Sequence, residues 1–168
     1  MLSRACLRWG GGPVPVLVIV GYGTEYDVLR AHADRIGIAS QIRWLGWRED
    51  VARLHAAFTI FTQSSRSEGT SLSLLEAMSA GLCPVVTDVG GNAHVLGPEL
   101  RHRLVPSESP EELSEAWRSA LLNPKHRAED AACARRRIES EFDLHAMVDA
   151  YENLYVQAEP SIRIVGNA

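Results

Sequence analysis

Apolar positions along the chain alternate between short β-branched runs and longer stretches with helical spacing. The run 16–20 is continuous and stops at Gly21, as a strand buried on both faces does. Residues 25–36 then place apolar side chains at helical spacing, and Gly37 marks the predicted helix end. The alternation continues through strands predicted at 42–45, 58–61, 84–87 and 102–105, and helices predicted near 51–55, 72–80, 110–122, 126–141 and 144–157.

Short buried strands that alternate with helices predict a parallel sheet with right-handed crossovers, hence a Rossmann-like, doubly wound α/β domain. In such open sheets, ligands bind outside the carboxyl ends of the strands. We therefore expect the functional site in the turns that follow strands, at 21–23, 46–48, 63–70 and 88–91.

Length and composition narrow the class of protein. The 168 residues, 46% of them hydrophobic, fit one globular domain. A formal net charge of −4 provides no basic field, so we do not expect a nucleic-acid partner. The apolar run near the start is far shorter than the roughly 20 residues of a membrane-spanning helix. Three cysteines without a CxxC pair indicate reduced thiols in a cytoplasmic protein, and the scattered histidines predict no metal site.

Two glutamates stand out around the predicted helix 72–80. Glu68 lies in the loop after the third strand, and Glu76 follows eight positions later within the helix. At about 100° per residue, Glu76 points some 160° away from the middle of the apolar arc. That arc consists of Leu74, Leu75 and Met78. The helix is therefore expected to pack its leucines on the sheet and to present Glu76 on the opposite side.

The start of this helix allows two interpretations. Thr70 and Ser71 lie where free backbone N–H groups gather, and these groups with the helix dipole suit a phosphate. Alternatively, Ser73 and Glu76 form a capping box that only closes the helix, and Glu68 is a solvated loop acid. The spacing by itself leaves both interpretations open.

The stretch 65–91 carries a resemblance to a known family. It begins Ser-Arg-Ser-Glu-Gly-Thr-Ser-Leu-Ser-Leu-Leu-Glu-Ala-Met-Ser-Ala-Gly and closely resembles the donor-site signature of GT-B glycosyltransferases of the glycogen synthase-like, family 4 type. Its two glutamates match that family's E-x7-E pair. A Val-Ile-Val-Gly-x-Gly turn at 18–23, Arg-Trp-Leu-Gly at 43–46 and a helical run ending Tyr-Glu-Asn-Leu-Tyr at 151–155 agree in order. The resemblance spans residues 16–157.

The resemblance implies roles for both glutamates. Glu68 would be the catalytic residue, lying against the donor sugar hydroxyls near the anomeric carbon. Glu76 would hold the ribose hydroxyls, and a carboxylate suits a cis-diol because it accepts two hydrogen bonds. The backbone N–H groups that the resemblance assigns to the sugar and the diphosphate belong to Gly69, Thr70, Ser71 and Leu72.

Two further turns complete the predicted donor site. Gly21 and Gly23 form a strand-end turn of the kind that faces phosphates, and Gly46 and Trp47 lie where the family's chain edge meets the base. Trp47 either stacks on that base or is a half-buried structural tryptophan.

Two further residues are ambiguous, and one glycine pair has a structural role. Arg66 either helps to neutralise phosphate or is solvated, and His94 is a surface residue or a substrate contact. The pair Gly90–Gly91 permits a tight turn.

The implied activity is transfer of a hexosyl group from a UDP- or GDP-sugar, with retention and without metal or cofactor, to a saccharide or lipid-linked acceptor. Residues 16–158 would form the donor-binding domain, 1–15 the remnant of its first helix and a linker, and 159–168 a frayed tail. Family members begin this domain with a further strand, a Gly-Arg turn and a later lysine. Since no counterpart precedes residue 16, we expect an N-terminally truncated chain that needs a separate acceptor-binding domain or chain.

Two other classes of function compete with this interpretation. A non-catalytic nucleotide-binding or regulatory module would keep the fold without the cleft in which the reaction occurs. A sugar-nucleotide epimerase uses a related two-domain fold, but the donor signature fits that class less well.

Overall fold

The computed structural model describes residues 14–158. Five strands alternate with helices, and two short 3-10 turns, Ala39–Gln41 and Arg101–Arg103, precede the second and the fifth strand. The predicted tail at 159–168 and nearly all of the predicted remnant at 1–15 lie outside the described residues. The strands are β1 Leu17–Val20, β2 Ile42–Gly46, β3 Ile60–Gln63, β4 Cys83–Thr87 and β5 Leu104–Val105; the helices are α1 Tyr26–Arg35, α2 Val51–His55, α3 Leu72–Ser79, α4 Asn92–Leu96, α5 Pro110–Leu122, α6 Pro124–Glu141 and α7 Leu144–Ala158.

Every strand pairing is parallel. β1 pairs with β2, and β3, β4 and β5 form a second ladder in that order. The expected parallel sheet is therefore present as two ladders within residues 14–158. One apolar cluster joins them, because Ala33 of α1 and Ile42 of β2 pack in the same core as Cys83 and Val85 of β4.

Strand β4 is buried along its whole length and shows how the layers are built. Successive side chains of a strand point to opposite faces. Cys83 and Val85 contribute to the core with α1 and α5, whereas Val86 packs in a second core with α3, α4 and α6. Helices thus cover both faces, which confirms the doubly wound α/β fold.

Two predicted strands are displaced from their sequence pattern. The third strand occupies 60–63 instead of 58–61, because the N–H of Phe58 still donates to the carbonyl of His55 in the turn that ends α2. The fifth strand is confined to 104–105, since the predicted residues before it form a 3-10 turn in which Arg103 N–H donates to the carbonyl of Leu100.

Helix α6 begins earlier than predicted, at Pro124. Proline suits the first turn of a helix because no intrahelical acceptor awaits its missing N–H. Across the residues that the structure describes, no helix combines the length and apolar character needed to cross a membrane.

Candidate functional site

The turns after β1 and β2 meet at the carboxyl edge of the first ladder. Gly21 N–H donates to the carbonyl of Gly46 across 2.7 Å, and both residues have left-handed backbone, with φ of 116° and 63°. These conformations favour glycine, which explains the residue type at both positions. The carbonyl of Gly23 accepts from Tyr26 N–H and so opens α1. Two of the four predicted turn residues, Gly21 and Gly46, are therefore in direct contact.

Trp47 follows this edge directly and is 80% exposed. The half-buried tryptophan is instead Trp44, whose ring meets Tyr26 edge-on at 5.2 Å. The interpretation of Trp47 as a half-buried structural residue is therefore wrong, and its ring is free to stack on a ligand.

The side chain of Arg48, which follows Trp47, forms an ion pair with Asp50. The Arg48 guanidinium donates to both carboxylate oxygens of Asp50, at 2.8 and 2.7 Å. This hydrogen bonding raises the pKa of Arg48 and lowers the pKa of Asp50.

The Glu68 carboxylate is held by two side chains, one at the end of β3 and one in its own loop. Its Oε1 accepts from Gln63 Nε2 at 2.7 Å and from Ser65 Oγ at 2.6 Å. Within residues 14–158, no hydrogen bond or ion pair engages Oε2. One oxygen is thus anchored at the end of β3, and the other remains available as an acceptor.

The N-cap of helix α3 lies two residues before the serine of the proposed capping box. Its N-cap is Ser71, whose Oγ accepts from Leu74 N–H at 3.3 Å, and Ser73 lies inside the first turn. The capping-box interpretation of Ser73 and Glu76 is therefore wrong. Glu76 is exposed, whereas Leu74 and Met78 are fully buried, so the expected division of the helix faces is confirmed.

The opening turn of α3 is also a place for an anion. Backbone N–H groups at the start of a helix have no intrahelical acceptor, and in α3 these include Leu72 and Ser73. The helix dipole adds partial positive charge there. Gly69, Thr70 and Leu72 are exposed, so a ligand can reach this backbone from solvent.

The turn after β4 packs against the back of the Glu68 loop. A Cβ on Gly90 would lie 1.8 Å from the carbonyl oxygen of Glu68, and Gly91 N–H donates to the carbonyl of Gly69 at 2.9 Å. Gly90 also has left-handed backbone, with φ of 52°. The tight turn predicted at 90–91 is present, and in addition it supports the candidate site.

The same loop is fixed from β4 and β5. The carbonyl of Ser65 accepts from Thr87 Oγ1 at 2.8 Å and from Ser107 Oγ at 3.4 Å. Arg66 forms an exposed ion pair with Glu108, 2.9 Å between Nε and Oε1. Because that pair is at the surface, the solvated alternative for Arg66 is favoured.

His94 is an exposed residue of α4. Its carbonyl accepts from Arg137 of α6, and its ring meets Phe142 edge-on at 5.8 Å. The alternative of a surface or helix residue therefore accounts for it.

The structure thus assembles the predicted residues in two groups. Glu68, Gly69 and Ser71 share one loop, and Gly21 and Gly46 share one turn pair. Sequence reasoning missed Gln63 and Ser65 as partners of Glu68. The available signal was their position after a strand at the carboxyl edge, which located them without revealing what they contact.

Comparison with known proteins places these features in context. A family model described as glycosyl transferases group 1 matches residues 9–165. The chain is 28% identical over 152 residues to the Escherichia coli UDP-Gal:alpha-D-GlcNAc-diphosphoundecaprenol alpha-1,3-galactosyltransferase. This alignment covers 86% of the chain and 37% of that protein. It is 30% identical over 118 residues to lipopolysaccharide glucosyltransferase WaaG of Escherichia coli strain K12, covering 70% of the chain and 31% of that protein.

Solved structures share the fold. The crystal structure of Anabaena HepE in complex with UDP superposes with a TM-score of 0.83 at 21% identity, over 93% of this chain and 44% of that one. A crystal structure of WaaG, a glycosyltransferase involved in lipopolysaccharide biosynthesis, gives a TM-score of 0.70 at 27% identity, over 84% and 38%. The chain therefore spans from about a third to less than half of the length of these proteins.

Proposed function

The chain belongs to the glycosyl transferases group 1 family, and from this we propose that it forms the donor-binding part of a glycosyltransferase. Its donor is a UDP- or GDP-linked hexose, and its acceptor is a saccharide or a lipid-linked saccharide. Transfer breaks the bond between the anomeric carbon and the diphosphate oxygen and forms a bond to an acceptor oxygen on the same face. The acceptor proton leaves with the nucleoside diphosphate, and no metal or cofactor takes part.

The observation that carries this proposal is the geometry of Glu68. Its carboxylate is anchored through Oε1 by Gln63 and Ser65, and Oε2 is left to accept a hydrogen bond. A sugar hydroxyl is a suitable donor to such an oxygen. A carboxylate held in one orientation before the ligand arrives loses less conformational freedom on binding, which supports a role in substrate alignment. In this proposal Glu68 is the catalytic residue.

Helix α3 would bind the rest of the donor. Its opening N–H groups at Leu72 and Ser73, next to Gly69 and Thr70, are suited to diphosphate oxygens. Glu76 projects from the exposed face of the same helix, where its two oxygens can accept from both ribose hydroxyls. The failure of the capping-box alternative supports this role, because Glu76 has no structural task at the helix start.

The base would lie at the first ladder. Trp47 offers an exposed ring beside Gly46, and base–aromatic stacking contributes about 1–3 kcal/mol per base in proteins that bind single-stranded nucleic acids. Stacking is tolerant of base identity, so this feature supports a nucleotide without selecting UDP or GDP.

Calorimetric titration with UDP, GDP and ADP tests the donor site. We expect UDP or GDP to bind and Glu76→Ala to weaken that binding about tenfold, as the loss of hydrogen bonds to a carboxylate would. If no nucleotide binds at millimolar concentration, the donor-site proposal fails. If Glu76→Ala binds as the unaltered chain does, the ribose role of Glu76 is wrong.

Glu129→Ala is the matched control. Glu129 is an exposed helical glutamate whose ion pair with Lys125 is long, at 4.0 Å. Its neighbour Ala128 lines a shallow surface with Thr59 and Leu82, which precede β3 and β4. The residue thus belongs to the opposite edge of the sheet from the candidate site, and its replacement should leave nucleotide affinity unchanged.

A non-catalytic nucleotide-binding module is the second candidate, because none of the ten predicted site residues carries positive charge. Departure of a nucleoside diphosphate needs its charge stabilised. Donor hydrolysis and transfer should be measured with the chain alone and with a separately supplied acceptor-binding domain. Nucleotide binding with no turnover in either assay favours the module over the enzyme.

A further inference from the structure

Gln63 anchors Glu68 in the proposed site, but the proposed function gives this glutamine no role of its own. It is the last residue of β3 and is only partly exposed. Its Nε2 lies 2.7 Å from Glu68 Oε1 and 3.1 Å from Ser71 Oγ. One side chain therefore connects the carboxylate of the candidate catalytic residue with the hydroxyl that caps α3.

Chemistry fixes which way the Gln63 amide points. An ionised carboxylate only accepts hydrogen bonds, so the nitrogen of the amide must face Glu68. The reverse orientation would place two acceptor oxygens 2.7 Å apart. A primary amide has two N–H hydrogens, and here one serves Glu68 and the other Ser71.

This arrangement leaves a definite set of groups for a ligand. Ser71 Oγ accepts from both Gln63 Nε2 and Leu74 N–H, so both its lone pairs are used and its own hydrogen is free to be donated. Glu68 Oε1 is likewise taken by Gln63 and Ser65, and Oε2 is not. Gln63 thereby leaves one acceptor on Glu68 and one donor on Ser71 without a partner among the described residues.

Stability alone is a poor explanation for this glutamine. Its Oε1 is buried and has no hydrogen-bond partner in the described part of the chain. A buried acceptor left unpaired is unfavourable, and an apolar side chain of similar shape would avoid that cost. The amide is best accounted for by what its nitrogen does to Glu68 and Ser71.

We propose that Gln63 is a positioning residue that sets the affinity of the site for the sugar part of a nucleotide sugar. This inference rests on the proposed contact between Glu68 and the donor sugar. Gln63 acts by holding Glu68 in one orientation rather than by touching the nucleotide. Its loss should therefore reduce the extra affinity that the sugar provides, while binding of the nucleoside diphosphate itself is unchanged.

The test compares dissociation constants for UDP and UDP-glucose, with GDP and GDP-mannose in parallel, by calorimetry. The dissociation constant of the nucleoside diphosphate, divided by that of the corresponding nucleotide sugar, measures the affinity that the sugar adds. We expect Gln63→Met to reduce this ratio about tenfold, the effect of one hydrogen bond to a charged group, with UDP affinity unchanged within about twofold. Ser65→Ala should act in the same direction, and Ser65→Thr, which keeps a hydroxyl, should restore the ratio.

Gln41→Met is the matched control. Gln41 is also a partly exposed glutamine whose Oε1 is buried without a partner among the described residues, and it precedes β2 at the amino-terminal edge. Replacing it should alter neither UDP nor UDP-glucose affinity. An equal loss in the Gln41 and Gln63 variants would show a general packing effect and overturn the proposal.

The outcomes separate this inference from the proposed function. If Glu68→Gln loses the sugar contribution and Gln63→Met keeps it, Gln63 does not position Glu68, and the donor site stands. If Gln63→Met weakens UDP and UDP-glucose equally, Gln63 is merely structural. If the unaltered chain shows no sugar contribution, or Glu68→Gln keeps one, the proposed role of Glu68 fails and this inference fails with it.

A second measurement needs no ligand. Both side-chain amide hydrogens of Gln63 should exchange with solvent more slowly than those of exposed Gln157 in nuclear magnetic resonance spectra. Glu68→Ala should speed the exchange at Gln63 and leave Gln157 unaffected. Equal exchange at the two glutamines in the unaltered chain would refute the contact from which the proposal starts.

Discussion

Replacing Gly90 by alanine perturbs the candidate site through the backbone of Glu68, without replacing any residue predicted to contact the ligand. The new Cβ would lie 1.8 Å from the carbonyl oxygen of Glu68 and 2.7 Å from its carbonyl carbon. Ordinary van der Waals contact begins at 3.4 Å, so the difference of 1.6 Å must be taken up by one of the two backbones. Neither is a flexible side chain that can move aside. The Glu68 loop is therefore expected to shift away from Gly90.

Two effects lower the free energy of unfolding in Gly90→Ala. Left-handed backbone, with φ of 52° at Gly90, costs a residue with a Cβ about 1–2 kcal/mol. Relief of the overpacked contact costs about 1–3 kcal/mol more. Gly81 isolates the first part, because its φ is 77° and a Cβ there would meet nothing within 4 Å. We expect the free energy of unfolding to fall by about 1–2 kcal/mol in Gly81→Ala and by about 2–5 kcal/mol in Gly90→Ala.

Urea denaturation followed by circular dichroism measures both variants, and calorimetry with UDP-glucose measures the site. Displacement of Glu68 should weaken UDP-glucose binding at least tenfold in Gly90→Ala, whereas Gly81→Ala should bind as the unaltered chain does. The two variants share the backbone strain, so a difference between them reports the close approach to Glu68. Equal stability loss with intact UDP-glucose affinity in both would refute the packing argument.

Two further predictions concern stability. The carboxylate of Asp130 accepts a 2.7 Å hydrogen bond from Nε of Arg103, which is almost fully buried. Asp130→Ala should therefore lower the free energy of unfolding, measured by urea denaturation, by about 3–5 kcal/mol. Glu139→Ala breaks only an exposed ion pair with Arg135 and should change that free energy by less than about 0.5 kcal/mol. Burial raises the pKa of the Cys83 thiol from 9.0 to about 11, so this thiol ionises at lower pH in the unfolded chain than in the folded one. The free energy of unfolding should therefore fall by up to about 3 kcal/mol as pH rises from about 9 to about 11. Cys83→Val should lack this part of the pH dependence, and an unchanged pH profile in that variant would contradict the assignment.

Local patterns were sufficient for most of the fold. Helix α5 runs from Pro110 to Leu122 as predicted, since a proline start, acidic residues in the first turn and helical apolar spacing all agree. Strand β3 was misplaced by two residues because its apolar pattern at 58–61 is shared with the turn before it. Its position is set by pairing with β4, from Ile60 opposite Cys83 to Gln63 opposite Val86, and such pairing is not visible in one segment.

In the candidate site too, local features were predictable from the sequence and contacts between distant residues were not. Glu68 and Glu76 were identified because their spacing and their surroundings lie within one short stretch of sequence. The start of α3 stayed open between two interpretations, since Ser71 and Ser73 are both suitable N-cap residues and only the backbone geometry distinguishes them. The contact of Gly90 with Glu68 joins residues 22 positions apart, and no local pattern reports it.

The polar ends of three neighbouring strands explain why such contacts converge on one loop. Parallel strands bring their carboxyl ends to the same edge, where side chains that leave the core meet one another. Ser65 after β3 receives hydrogen bonds from Thr87 at the end of β4 and from Ser107 after β5. Ser65 in turn holds Glu68, so substitutions at the ends of β4 and β5 reach the carboxylate through a single residue. Sequence patterns locate this edge, but the side chains that orient Glu68 are selected by contacts between strands, and these emerge only once the sheet is assembled.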